Sequence, residues 1–132
     1  MRQNPYRKTA SLLAIAWMSL IFFLSQQSQL PLPELEWVPS DKVAHLLAYG
    51  LLGIFYLVSF SKSLVTISWR FVLLASLCAL AYGVSDEFHQ SFIPGRDSSI
   101  ADLAADFMGA LLFTALGKWF LVHLTKKKYS SL

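Results

Sequence analysis

Residues 86 to 106 of this 132-residue chain hold Asp86, Glu87, His89, Gln90, Arg96, Asp97, Asp102 and Asp106, set between long apolar runs. Residues of these types can do three kinds of chemistry. Carboxylates and imidazole move protons, and a guanidinium holds a phosphate through paired hydrogen bonds. Carboxylates with imidazole also hold divalent metal ions. A second polar set stands upstream in PSDKVAHLLAYG. There Asp41, His45 and Tyr49 follow one another at i, i+4 and i+8 and so share one helical face, with Lys42 next to Asp41.

Each acid has a position that needs explaining. Ser40 or Asp41 can cap a helix start, but capping accounts for neither His45, a turn deeper, nor Lys42. Asp86 and Glu87 end an apolar run, at a helix C-terminus where the macrodipole disfavours negative charge. They need a cation, a network of donors or a bound proton. Asp86 shares a face with Gln90 at i+4, and His89 lies at i+3. After IPGR, Gly95 suits a turn, Asp97 or Ser98 suits a cap, and Ser99 with Asp102 matches a capping box. Asp106 follows Asp102 by four residues on the same face, inside DLAADFMGALLF. An acid costs about 2.5–3.5 kcal/mol at a bilayer centre, and less near the interface. Lys42, Arg96, a metal or a proton must compensate this pair.

The elements that position these groups are membrane helices. The chain is 55% hydrophobic and 14% charged, with a mean hydropathy of +0.51, too apolar for the surface of a small soluble domain. About 20 helical residues cross a bilayer. Four segments qualify, at about 9–25, 43–60, 69–88 and 102–124. The first is read as a retained helix, because SQQSQLPLP lacks a small-x-small cleavage site. Pro31, Pro33 and Pro39 make the first long connection extended, with Trp37 at headgroup level. Cys78, the only cysteine, excludes an intramolecular disulfide and reads as a buried small hydrophobe. The expectation is an all-α, four-helix transmembrane bundle forming one domain over 1–132.

Charge sets the expected topology. Arg2, Arg7, Lys8, Lys62, Arg70, Lys126, Lys127 and Lys128 flank the spans on one side, with Lys118 able to snorkel towards it, whereas Lys42 and Arg96 lie on the other. The positive-inside rule places both termini in the cytoplasm. All eight acids fall towards the opposite side: Glu34, Glu36 and Asp41 in or beside one connection, the other five in or beside the next. Three helices thus present Asp41 with His45, Asp86 with Gln90, and Asp102 with Asp106 at one leaflet. Facing inward they form one acidic pocket beneath Arg96, and Gly50, Gly53, Gly83 and Gly109 permit the close helix approach that this requires.

The blocks DKVAHLLAYGLLG and DEFHQSFIPGRDSSIADLAADFMGALLF resemble the two signature regions of the VanZ-like membrane proteins. That family is named for a protein associated with low-level resistance to the glycopeptide teicoplanin. By the resemblance, its polar positions fall on Asp41, Lys42, His45, Asp86, Glu87, Gln90, Arg96, Asp102 and Asp106. Asp106 departs from the pattern, where Asn is frequent, and Gln90 is more characteristic than His89. The resemblance implies a bacterial inner (cytoplasmic) membrane and a role in the cell envelope.

Three functions fit these residues. One is an enzyme acting on a lipid-linked or phosphorylated headgroup, with His45, Asp86 and Glu87 as acid or base and Arg96 and Lys42 as anion binders. Another is a module that binds a lipid, a cell-wall precursor or a glycopeptide unchanged. The third is a network that fixes helix packing or an interaction surface. Four helices without an inverted repeat argue against a transporter. The cofactor is left unknown: His45 with carboxylates is compatible with a divalent metal, but no H-E-x-x-H, Walker or nucleophile-elbow pattern occurs. The expected partners are the membrane and a headgroup at the outer leaflet, not nucleic acid, and oligomeric state is left open.

Overall fold

The structure, a computed structural model, describes residues 3–27, 40–96 and 98–130. It contains four α-helices, α1 (Arg7–Ser25), α2 (Ser40–Phe60), α3 (Trp69–Gln90) and α4 (Ile100–Ser130), and no strand among the described residues. All four are long and apolar enough to cross a membrane. The helices start and stop close to the expected bounds, except that α4 runs six residues past 124. No glycine or proline follows Gly117, and the Lys126–Lys128 run consists of good helix formers, so nothing stops the helix at the end of its apolar stretch. The expected roles of Glu34, Glu36, Trp37, Asp97 and the three prolines lie outside the described residues. Ser68, unremarked in the sequence, caps α3 by accepting the Arg70 N–H at 3.2 Å.

Successive helices run antiparallel. α2 touches the other three and packs most extensively on α4, while α1 lies on α2 and scarcely meets α3. Leu12, Ile15, Phe23, Leu77, Leu112 and Leu116 point outward, as a lipid-facing surface requires. The interior is correspondingly small: Ala14, Ala79, Ala105 and Ala110 are buried beside Leu52, Leu57 and Tyr49. In lipid, tight packing and interhelical hydrogen bonds take over from the hydrophobic effect. Trp17 Nε1 donates to the Ala48 carbonyl at 2.8 Å, Tyr82 to the Met18 carbonyl at 2.6 Å, and Ser76 meets Thr114 at 3.0 Å.

The two ends of the bundle differ. At the basic end, Asn4 Nδ2 donates to the carbonyls of Val58 and Ser61 at 2.8 and 3.0 Å, and Arg7 Nε to that of Ser59 at 3.0 Å. These bonds satisfy the orphan carbonyls of the α2 C-terminus. At the acidic end the α1 and α3 C-termini meet the α2 and α4 N-termini, and the side chains of the predicted pocket gather there. Closest approach falls at Gly109, whose absent Cβ would overlap the Leu46 backbone of α2. Gly117→Ala meets only the far end of the Ile54 side chain. Gly109→Ala is therefore expected to lower stability by about 1–3 kcal/mol, whereas Gly117→Ala should be neutral or better, since Ala favours helix. Thermal melts of the two variants in one detergent check this.

Candidate functional site

The site is built on four buried carboxylates, Asp86 and Glu87 of α3 and Asp102 and Asp106 of α4, which meet polar side chains of α2. Asp106 is fully buried, and Asp86, Glu87, Gln90 and Asp102 are nearly so. From α2, His45 Nδ1 lies 2.9 Å from Asp106 Oδ1, and Lys42 Nζ pairs with Asp102. The same ammonium reaches Asp41 at 3.1 Å. Asp41 itself stays at the rim, its side chain 55% exposed, and reaches no other member of the cluster. Of the expected pairs, Asp41 with His45 is thus not a contact, since both side chains turn to other partners.

On α3, Asp86 Oδ2 accepts from the Tyr49 hydroxyl at 3.0 Å and from Gln90 Nε2 at 2.9 Å. Gln90 Nε2 also lies 3.4 Å from Ser25 Oγ, which ties the end of α1 to the cluster. Glu87 Oε2 accepts the Ser99 backbone N–H at 2.7 Å. The capping box read at Ser99 and Asp102 forms only in part. Ser99 Oγ does accept a first-turn N–H, from Ala101 at 3.1 Å, but the Asp102 carboxylate is drawn to Lys42, and Glu87 takes the N–H that Asp102 would have reached. This also answers the electrostatic objection to Glu87: the C-terminus of its own helix repels it, but the N-terminus of α4 receives it.

Tyr49 is the residue whose role sequence reasoning missed. Its place on the Asp41–His45 face was visible, but its use as a donor depends on α3. The ring is buried, and its centroid lies 6.0 Å from that of His45 in a near-parallel arrangement. Gly83 makes room beside it, because a Cβ there would crowd Asp106 and Tyr49. His89 turns the other way, towards Phe22 of α1, and takes no part in the cluster.

A cavity of about 90 Å³ opens beside this network, lined by Ser25, His45, Tyr49, Asp86, Gln90 and Arg96 among apolar residues of α1 and α2. Arg96 faces it without an ion pair to any carboxylate among the described residues, and its buried Nε has no hydrogen-bond partner. Oδ1 of Asp86, Oε1 of Glu87 and Oδ2 of Asp106 are likewise buried and unpartnered. One ligand atom each from His45, Glu87 and Asp102 lies within 4.8 Å of the others, so these three residues could hold a metal. The arrangement can bind an anion on Arg96 and move a proton through His45 or a carboxylate.

A model of the VanZ/LLP1 family matches residues 10–121. The chain belongs to that family, and with its four apolar helices it is a multi-pass membrane protein. No curated protein and no solved structure matches it.

The buried Tyr49–Asp86 bond gives a direct check on this geometry. Tyr49→Phe leaves a buried carboxylate short of a donor and should cost about 1–3 kcal/mol. Tyr49→Phe combined with Asp86→Asn should cost less than the sum of the single changes. Additive effects in detergent melts would contradict the contact.

Proposed function

We propose that the chain is an envelope protein of the bacterial inner membrane that binds and processes a phosphorylated headgroup, that of a lipid or a lipid-linked cell-wall precursor. The carrying observation is Arg96: a guanidinium faces a cavity beside a dense acidic cluster, yet no described carboxylate claims it. An arginine left unpaired among acids is available to an anionic ligand, and its planar fork suits phosphate. His45 and Asp86 line the same cavity and Glu87 stands beside Asp86, so acid and base candidates adjoin the bound anion. Lys42, Gln90, Asp102 and Asp106 hold these groups in place, and Asp41 sits at the entrance. The basic flanks of the helices support cytoplasmic termini and a site in the outer leaflet. Family membership supports a link to glycopeptide (teicoplanin) resistance through such a precursor.

Dense internal bonding favours one competing reading, in which the network only fixes helix packing or binds without turnover. Apolar packing usually serves stability as well, so six or more buried polar groups are an expensive way to achieve packing alone. Native mass spectrometry in mild detergent separates these readings. The wild type should retain a phosphorylated lipid that Arg96→Ala loses, and the retained species should turn over at least 100-fold more slowly in His45→Ala or Asp86→Asn proteins that fold normally. A bare wild-type protein would overturn the headgroup reading, and retention without turnover would make the protein a binder. For topology, Phe92→Cys in a Cys78→Ser background should react with an impermeant maleimide added to intact cells, and Ser130→Cys should not.

A further inference from the structure

The network is half-finished in one particular way. His45, Glu87 and Asp102 come from three different helices, and each has one polar atom engaged by protein and a second left over. His45 uses Nδ1 on Asp106 Oδ1, which leaves Nε2. Glu87 uses Oε2 on the Ser99 N–H, and its Oε1 is buried with no partner. Asp102 uses Oδ1 on Lys42, leaving the other oxygen. One ligand atom from each lies within 4.8 Å of the other two. A histidine that gives one ring nitrogen to a buried carboxylate has its tautomer and orientation set for the other nitrogen to ligate a metal.

We infer that His45, Glu87 and Asp102 form a divalent transition-metal site, with Asp106 as the positioning residue behind His45. The inference rests on reading this cluster as a ligand site. One imidazole and two carboxylates suit Zn²⁺ or Mn²⁺, whereas Mg²⁺ and Ca²⁺ favour all-oxygen sets. Bond lengths of about 2.0–2.2 Å place ligand atoms roughly 3–4 Å apart, and atoms already within 4.8 Å of one another are near that spacing. Three protein ligands leave a position for water or for a headgroup oxygen, the arrangement of catalytic rather than structural zinc. The ion also offsets the excess of buried carboxylates. Lys42, whose side chain is 30% exposed at the rim, is the cation already placed against Asp102.

The test uses the full chain, purified without a histidine tag, stripped with EDTA and delipidated. Zn²⁺ and Mn²⁺ are titrated against Mg²⁺, with thermal midpoint and bound metal by mass spectrometry as readouts. The expected result is one ion per chain with a raised midpoint for Zn²⁺ or Mn²⁺ and no rise for Mg²⁺. Glu87→Gln should lose at least tenfold in affinity, while His89→Gln, whose ring turns towards Phe22 and away from the trio, should bind as the wild type does. Asp106→Asn should retain stoichiometry but bind 10–100-fold more weakly. A wild type that neither binds nor is stabilised by either ion overturns the proposal, and so does binding indifferent to Glu87→Gln. Wild-type titration does not depend on any variant folding. Because lipid is absent, a failure here leaves the headgroup reading standing, and loss of that reading leaves the metal result intact.

Discussion

Helices α2 and α4 approach until the Gly109 backbone lies against the backbone of Leu46, and the polar half of the bundle depends on that contact. It sets His45, the neighbour of Leu46, opposite Asp106, and Lys42 opposite Asp102 one turn nearer the acidic end. A hydrogen bond weakens steeply over a few tenths of an ångström. A methyl group between the helices would therefore separate both pairs at once. Gly83 serves the third helix in the same way, letting α3 close on Asp106 and Tyr49.

With the helices at that distance, the carboxylates are held by donors of different kinds. Asp106 is met by a histidine, Asp102 by an ammonium, Asp86 by a phenol and an amide, and Glu87 by a backbone N–H at the start of α4. Three of these four carboxylates are not fully satisfied by the described protein: one oxygen each of Asp86, Glu87 and Asp106 is buried and bare. A network built solely to hold helices together would be expected to close on itself, since each bare buried oxygen costs stability. Incomplete satisfaction beside an Arg96 that no described carboxylate pairs with supports the proposed ligand site.

The opposite end of the bundle follows a different economy. Asn4 and Arg7 donate to the last carbonyls of α2, and Thr125 Oγ1 donates to the Leu64 carbonyl in the α2–α3 connection. These are terminal groups satisfied by neighbouring side chains, and none of them leaves a buried ionisable atom bare. The bare buried carboxylate oxygens among the described residues thus all lie at the acidic end.

Composition and run length alone determined that the chain is a bundle of four membrane helices, because lipid permits so few structures. Periodicity determined which polar residues share a face, since the helical repeat is the same in every fold. It placed Asp102 with Asp106 and Asp86 with Gln90, and marked Gly83 and Gly109 as points of close approach. Partners across helices were decided only by the tertiary structure. Asp41 and His45 share a face yet turn apart, Glu87 displaces Asp102 from the Ser99 N–H, and Tyr49 reaches Asp86. Each of these choices depends on the rotation of one helix against another, and that rotation is set by where small residues let the backbones touch, a property of pairs of segments that no single segment encodes.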